Sequence, residues 1–181
     1  MGIVKTIKRK MLKIVRGYVT TEELIERGMI VGKNFNRTKN VEIDMFSWAI
    51  EIGDDVTIGP GSTILTHDAS MRKTLGIYKI GHVKIGNRVF IGANSIILPG
   101  VTIGDNVVIA AGSVVCKDIP SNCVCAGNPA KLICSIEDYF NKHKNPRKLY
   151  DESETLKGNM TNEEKIAMKK DLIENGIAYV K

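Results

Sequence analysis

The chain of 181 residues has few histidines, few cysteines and no long apolar run. No stretch approaches the roughly 20 apolar residues that a membrane-spanning helix needs, and the N-terminus lacks the apolar core and cleavage site of a secretory signal. The four cysteines form no CxxC pair and no zinc-ligand spacing, so we expect reduced, packing-type thiols. These absences predict a cytoplasmic protein that requires no metal.

Positive charge is concentrated at the N-terminus of the chain, which has a net charge of +6. Residues 1–16 contain six Lys or Arg and no acid, and their aliphatic residues fit one helical face. We expect such a helix to pack on its own protein, with contact to an anionic membrane as the alternative. Aromatic residues do not alternate with these basic residues, and no known nucleic-acid-binding motif occurs, so we expect no nucleic acid partner.

A six-residue repeat dominates the middle of the chain. Its units open with Ile or Val, and neither helical nor alternating strand periodicity explains a period of six. Nine such units occur in two blocks that start at Ile52 and Ile85. They read IGDDVT, IGPGST and ILTHDA, then IGNRVF, IGANSI, ILPGVT, IGDNVV, IAAGSV and VCKDIP.

This period predicts a short strand followed by a corner, repeated along the chain. The opening aliphatic residue points inward, and the fifth residue also points inward and is small or branched. Glycine at the second place is expected because the corner needs unusual backbone angles. Three units make one triangular coil, and coils stack through parallel hydrogen bonds at roughly 4.8 Å per layer. The fold class is therefore a mainly β solenoid with a continuous core.

The repeat divides the chain into three segments. Residues 1–28 form an N-terminal helical segment, residues 29–134 form the solenoid domain, and residues 135–181 form a helical tail. Residues 67–84 interrupt the repeat and are too polar and irregular to be core. A long loop in a regular scaffold is usually functional.

Helices are predicted on both sides of the solenoid. Thr20 or Thr21 caps a short N-terminal helix that Gly28 ends. In the tail, one helix is expected around residues 136–144 and another around 161–175, with partial disorder of the tail as the alternative.

His67 is the candidate catalytic base. It occupies the fourth place of ILTHDA, a corner position where the repeat gives way to the loop. Imidazole titrates near neutral pH, so a fixed and exposed ring can take a proton from a hydroxyl or an amine. A solvent-facing loop histidine is the alternative. We interpret His82 as a surface or substrate-contact residue and expect no role for His143.

Two lysines and a group of small residues indicate a second binding region. Lys117 and Lys131 follow the last coils, where they suit a phosphorylated ligand, with solvated charges as the alternative. Small residues nearby leave a shallow groove lined by backbone groups that can receive an extended ligand. These residues are Ala93, Ala110, Ala111 and Gly112.

The segment from Ile52 to Ile133 resembles the hexapeptide-repeat acetyltransferases. The motifs that carry the likeness are HDAS, VKIGNRVFIGANSIILPGVTIGDNVVIAAGSVVCKDIP and AGNPAKLI. Within that family it is similar to the sugar O-acetyltransferases, both the galactoside and maltose enzymes and those that modify capsule or lipopolysaccharide sugars. The resemblance implies a left-handed parallel β-helix, a homotrimer, and acetyl-CoA bound along the seam between two subunits.

The resemblance also implies roles for individual residues. His67 matches the catalytic histidine, which acts as a general base in direct transfer to a sugar or sugar-nucleotide hydroxyl. Ala93 and Ala111 match positions whose backbone contacts the pantetheine arm of the cofactor. Lys117 matches a lysine near the nucleotide end, and Lys131 matches the basic residue near the 3′-phosphate.

Three positions depart from the family pattern. Phe90 stands where Trp is common, which keeps an aromatic side chain. Cys116 stands where Thr or Ser is common, so a thiol replaces the hydroxyl that can hydrogen-bond to the cofactor. Ala110 stands where Gly is common and alters that corner.

Other functions remain open from the sequence. Within the enzyme class they are N-acetylation of an amino-sugar nucleotide and O-acetylation of serine. A metal hydratase resembling γ-class carbonic anhydrases needs three histidine ligands, and a non-catalytic trimeric scaffold is the remaining alternative. The acceptor is expected near the loop, Asp44, Trp48 and a neighbouring subunit. Asp68 either orients His67 or contacts the acceptor.

Overall fold

The computed structural model describes residues 19–156, 158 and 160–181. The basic stretch 1–16 and its predicted helix lie outside the described residues. The chain divides into two compact units, and the division falls between Glu137 and Asp138.

The first unit is a solenoid of short strands. All of them pair in parallel except the β7–β8 hairpin and the final β15–β16 pair, which are antiparallel. Three sheets form the walls of the solenoid, with strand orders β1-β4-β9-β12, β2-β5-β10-β13-β15-β16 and β3-β6-β11-β14, and β7 and β8 form a separate two-stranded sheet. The strands are β1 Ile30–Val31, β2 Asn36–Arg37, β3 Glu42–Ile43, β4 Ile50–Ile52, β5 Thr57–Ile58, β6 Thr63–Ile64, β7 His67–Asp68, β8 Lys79–Ile80, β9 Val83–Ile85, β10 Phe90–Ile91, β11 Ile96–Ile97, β12 Thr102–Ile103, β13 Val107–Ile109, β14 Val114–Val115, β15 Cys123–Ala126 and β16 Lys131–Ser135.

The opening aliphatic residues of the repeat form three columns inside the solenoid. The strand registers place residues of successive coils directly above one another, and these side chains are almost wholly buried. Burial of each one contributes roughly 1.5–3 kcal/mol to folding relative to an exposed side chain. The columns are Ile52, Ile85 and Ile103, then Ile58, Ile91 and Ile109, then Ile64, Ile97 and Val115.

Glycine at the second place has a different cause from the one expected. These glycines do not have positive φ, so the explanation by unusual backbone angles is wrong. The next coil approaches too closely for a side chain: a Cβ added at Gly92 would lie 2.4 Å from the Ala111 nitrogen and 2.8 Å from the Ala110 carbonyl carbon. The second-place glycine therefore permits coil stacking.

Left-handed backbone occurs at the fourth place of the unit instead. Asn94 and Asn106 have φ of 57° and 54° there, and Gly100 takes the same place with φ of 85°. Asn adopts this region more readily than most residues. Asn106 also donates from Nδ2 to the Asn122 Oδ1 of the next coil at 2.8 Å, so the corner side chains link successive layers.

The N-terminal end of the core is covered by helix α1, Thr21–Glu26. Thr20 is its N-cap and forms a reciprocal capping box with Glu23. Of the two caps that the sequence offered, Thr20 and Thr21, the structure therefore has the first. Leu24 points into the core and is almost fully buried. Arg37 stands in the column of Ile58 and donates to the carbonyl oxygen of Val19 at 2.7 Å.

The repeat is broken in two places on consecutive coils. Ile43 and Ile52 are nine residues apart instead of six, and the extra residues form a 3₁₀ helix at Ser47–Ala49. The second break holds the β7–β8 hairpin and helix α2, Arg72–Leu75. It ends before Val83, earlier than expected, because Val83 is fully buried and pairs with Ile50.

The second unit contains a parallel strand pair and two helices. Strands β17 (Leu149–Tyr150) and β18 (Tyr179–Val180) pair, and helices α4 (Glu152–Thr155) and α5 (Asn162–Asn175) lie between them in sequence. Helix α3, Ile136–His143, precedes them. The predicted helical extensions are thus present. Within the described ranges, no helix combines the length and apolarity needed to cross a bilayer.

We expect Gly92→Ala to destabilise the solenoid, because the new methyl group would collide with the backbone of the next coil. Overpacking of this kind costs about 1–3 kcal/mol. Gly100→Asn is the matched control, since a Cβ there meets nothing within 4 Å and Asn occupies the same place in other units. Urea denaturation at equal protein concentration measures the free energy of unfolding of both variants. Equal stability of the two variants would contradict the close-approach explanation.

Candidate active site

His67 lies at the corner that follows strand β6. Leu65 still bonds to the next coil, through its N–H to the Ile97 carbonyl at 2.9 Å, and the chain then turns. The His67 side chain is 27% exposed. The regular repeat therefore fixes the backbone up to the residue that sequence analysis singled out, and the ring itself reaches solvent.

Asp44 on the preceding coil holds His67 in place. The backbone N–H groups of Thr66 and His67 donate to Asp44 Oδ2 at 2.7 and 2.9 Å. The ring Nδ1 lies 2.8 Å from Oδ1 and 2.7 Å from Oδ2 of the same carboxylate. Coil stacking makes this possible, because Ile43 and Ile64 are register partners and Asp44 N–H donates to the Ile64 carbonyl.

The electrostatics of Asp44 determine which nitrogen of His67 carries the proton. Burial raises the pKa of this carboxyl, but hydrogen bonds from the Thr66 N–H and from the His67 ring and N–H outweigh burial and lower the pKa below 3.8. An ionised carboxylate only accepts hydrogen bonds, so the neutral imidazole donates from Nδ1. Nε2 is then the ring nitrogen with a free lone pair.

Sequence analysis did not identify this role of Asp44. It placed Asp44 near the acceptor and offered Asp68 as a possible partner of His67. Asp68 is exposed and its Oδ1 accepts from the Ser70 N–H at 2.8 Å, which stabilises the turn into the loop. One sequence feature could have revealed this role. The unit IDMFSW, which starts at Ile43, stacks on the unit ILTHDA, which starts at Ile64, so Asp44 lies next to the corner that carries His67.

Two aromatic side chains extend from His67 over the first break in the repeat. Phe46 packs edge-to-face against the His67 ring, with centroids 5.4 Å apart. Trp48 packs in the same way against Phe46 at 6.3 Å. On the hairpin, Ile80 is the cross-strand partner of His67. We call the pair Phe46 and Trp48 the aromatic shelf.

Ala93 and Ala111, the alanines expected to contact a cofactor, lie on neighbouring coils of one corner. Gly112 N–H donates to the Ala93 carbonyl at 2.8 Å, which places the two alanines one layer apart. On the preceding layer, a Cβ at Gly59 would lie 2.6 Å from the Ala93 nitrogen. Ala93 is half-buried and Ala111 is exposed. The corner is thus a strip of small residues with accessible backbone groups.

Lys117 and Lys131 are both exposed, on the last complete coil and the strand that follows it. Lys117 follows strand β14, and Lys131 opens the antiparallel strand β16. The turn before Lys131 bonds to β14 through the Ala130 N–H and the Val114 carbonyl at 2.8 Å. The structure therefore keeps the turn of the AGNPAK motif against the strand that leads to Lys117.

The other two histidines have separate partners. His82 Nε2 lies 3.4 Å from Glu51 Oε1, and both side chains are exposed. His143, in the second unit, bonds through Nδ1 to the Tyr179 hydroxyl at 2.5 Å. Among residues 19–156, 158 and 160–181, no three His, Cys, Asp or Glu side chains are grouped as metal ligands.

The cysteines are free, and their environments differ. Cys123 and Cys125 are buried with sulfur atoms 3.7 Å apart, and burial raises the pKa of Cys125 to about 12. That thiol stays protonated and packs in the column above Ile109. Cys116 is exposed, so the expectation of packing-type cysteines is wrong for this residue.

Comparison with known proteins identifies the family. The profile described as Bacterial transferase hexapeptide (six repeats) matches residues 82–117. Protein CapG of Staphylococcus aureus is 40% identical over 143 residues, which cover 75% of this chain and 83% of CapG. The chain belongs to the hexapeptide-repeat acetyltransferases. The mainly β solenoid predicted from the repeat and the left-handed parallel β-helix implied by the resemblance are therefore confirmed.

Two further relatives bear on the family's chemistry. Galactoside O-acetyltransferase of Escherichia coli K12 is 42% identical over 125 residues, which cover 63% of this chain and only 60% of that protein. A solved structure of galactoside acetyltransferase in complex with coenzyme A superposes with a TM-score of 0.55 at 31% identity, and the match covers 75% of this chain and 82% of that one.

We expect nitrogen NMR to find the neutral His67 ring protonated at Nδ1 and unprotonated at Nε2, because Nδ1 faces the Asp44 carboxylate. Asp44→Ala removes the acceptor and with it this preference. A wild-type ring protonated mainly at Nε2 would contradict the proposed orientation of the base.

The lowered pKa of Asp44 predicts how its contribution to stability depends on pH. The carboxylate stabilises the fold above its ordinary pKa of 3.8, and this contribution is lost as the pH falls through the lower pKa of the folded state. The free energy of unfolding should therefore differ most between wild type and Asp44→Asn near neutral pH and converge in acid. Urea titrations between about pH 3 and pH 7 test this, and a constant difference would refute it.

Proposed function

We propose that this family member transfers the acetyl group of acetyl-CoA to a hydroxyl of a sugar or glycan precursor, with His67 as the general base. The observation that carries the proposal is the pairing of His67 Nδ1 with the buried carboxylate of Asp44, at 2.7 Å from Oδ2. The pairing leaves Nε2 free to accept a proton, at the site where the resemblance expects the catalytic histidine.

The mechanism follows from this arrangement. Nε2 of His67 accepts the proton of the acceptor hydroxyl as its oxygen attacks the thioester carbonyl carbon. Asp44 keeps the ring oriented and stabilises the imidazolium that forms. Nε2 then returns the proton to the departing sulfur as the carbon–sulfur bond breaks. No cysteine is needed as a nucleophile, which agrees with the protonated, buried thiol of Cys125.

The residues present fit an extended, phosphorylated cosubstrate. Bound acetyl-CoA supplies the activated acetyl group. The strip at Ala93 and Ala111 offers backbone donors and acceptors to its amide-containing arm, and Lys117 and Lys131 offer exposed ammonium groups to its phosphates. The coenzyme A complex of a similar galactoside acetyltransferase supports this assignment.

We also propose that the working form is a homotrimer with sites between subunits, as the resemblance implies. The solvent-exposed apolar side chains of the hairpin region suit burial in such a contact. They are Leu75, Ile77, Tyr78 and Ile80. The sugar acceptor is supported by the name of the E. coli relative, a galactoside O-acetyltransferase. The cytoplasmic location stays a prediction of the sequence.

We expect His67→Ala to fold and bind coenzyme A but to lose about 10²–10⁴ in kcat, the usual contribution of general-base catalysis. Asp44→Asn should lower kcat by at least about tenfold, because the ring loses its oriented tautomer. His143→Ala is the matched control and should keep wild-type turnover. The assay is thiol release from acetyl-CoA with sugars, sugar nucleotides, amino-sugar nucleotides and serine as acceptors.

Two results would overturn the proposal. Near-normal kcat in His67→Ala would show that this residue is not the base. Failure of the wild type to bind coenzyme A would favour the non-catalytic scaffold. Transfer to serine or to an amine would keep His67 in its role and replace the sugar hydroxyl as acceptor.

A further inference from the structure

The aromatic shelf of Phe46 and Trp48 has no role in the core. Trp48 is 59% exposed, although burial of an indole would contribute strongly to stability. The shelf occupies the first break in the repeat, where the additional residues form the 3₁₀ helix. Its inner member, Phe46, contacts the ring of the candidate base. An exposed aromatic surface that leads directly to His67 suits contact with a substrate.

Helix α1 and the residues that follow it hold the backbone of the aromatic shelf in place. A Cβ added at Gly28 would lie 2.9 Å from the Trp48 Cβ, so the chain after α1 packs closely against the tryptophan backbone. Ser47 donates from its hydroxyl to the Leu24 carbonyl at 3.5 Å. Phe46 packs edge-to-face against the indole, with ring centroids 6.3 Å apart. The backbone that carries Trp48 is therefore held in place before any ligand arrives, which lowers the entropic cost of binding.

The chemistry of the shelf suits the apolar face of a sugar ring. Residues 45–50 read MFSWAI and contain no charged side chain. The negative face of an indole attracts weakly positive C–H groups. One face of a pyranose is made largely of C–H groups, and its hydroxyls project from the rim. Serine has no such ring face, so it offers nothing for this surface to stack on.

We propose that Trp48 determines acceptor specificity by stacking on the apolar face of a pyranose ring, so that a hydroxyl on the rim reaches Nε2 of His67. The inference rests on the proposed function and narrows its acceptor to cyclic sugars. Phe46 acts as a positioning residue, because it sets the distance between the stacked ring and the base.

Binding can be tested directly, because Trp48 is the only tryptophan of the chain. Wild-type protein is titrated with methyl pyranosides of the gluco, galacto and manno series, and with the corresponding alditols, while indole emission is recorded. We expect at least one pyranoside to shift the emission to shorter wavelength, and the alditols, which keep the hydroxyl configuration at C2, C3 and C4 but have no ring, to leave it unchanged. Serine should also leave it unchanged.

Kinetics separate stacking from a general effect on the fold. Trp48→Leu should raise the KM for the pyranoside by roughly three- to tenfold, the equivalent of a lost aromatic contact, and leave the KM for acetyl-CoA unchanged. Trp48→Phe keeps an aromatic face and should recover most of the loss. Phe140→Leu, which removes an exposed aromatic from α3, should change neither constant.

The outcomes distinguish this inference from the proposed function. Acetylation of pyranosides with the same KM in Trp48→Leu would overturn the role of Trp48 and leave the transferase assignment intact. Acetylation of alditols or of serine as efficiently as of pyranosides would likewise overturn the role of Trp48 and leave the transferase assignment intact. An absence of both spectral change and turnover with every pyranoside would also overturn it, and coenzyme A binding in the same sample would show whether the transferase assignment survives.

Discussion

The close stacking of successive coils is the constraint on which the rest of the structure depends. A Cβ at Gly92 would lie 2.4 Å from the Ala111 nitrogen, so the corners of adjacent layers are in van der Waals contact through backbone atoms. That spacing lets each strand bond to the next and keeps each aliphatic column continuous. Residues of equal place in units one coil apart are therefore fixed as spatial neighbours, however far apart they are in sequence.

The candidate active site is a product of this register. Asp44 and His67 are 23 residues apart, yet the pairing of Ile43 with Ile64 brings them into one corner. The carboxylate then satisfies two backbone N–H groups where the strand hydrogen bonds end. One buried group thus closes the coil and orients the base. Removal of Asp44 should consequently disturb both stability and catalysis, since the same oxygen atoms serve both.

Much of the fold could be predicted because the repeat reports it directly. The period of six specifies inward columns, and the histidine in the last unit of the first regular block is conspicuous. The reason for glycine at the second place could not be derived from one unit, because the backbone that excludes a side chain there belongs to the next coil. The role of Asp44 as the partner of His67 was missed for the same reason: its unit, IDMFSW, is followed by three extra residues that hide the alignment. Interlayer contacts are visible in sequence only after the coils are placed in register.

The two breaks in the repeat carry the features that a regular solenoid cannot supply. Within the regular coils, core packing, close stacking or left-handed backbone restricts the first, second, fourth and fifth places of each unit, which leaves few places free to recognise different acceptors. The regular corner of Ala93 and Ala111 suits a ligand whose contacts are mostly to backbone. Recognition of an acceptor needs side chains of varied shape. The additional residues of the breaks can place such side chains beside His67 without disturbing the stacking of the coils. The break that holds Phe46 and Trp48 does this on one coil, and the hairpin that carries Ile80 does it on the next. Specificity is therefore expected to vary among similar proteins with the length and sequence of these two breaks, while the columns and glycines between them stay constrained by packing.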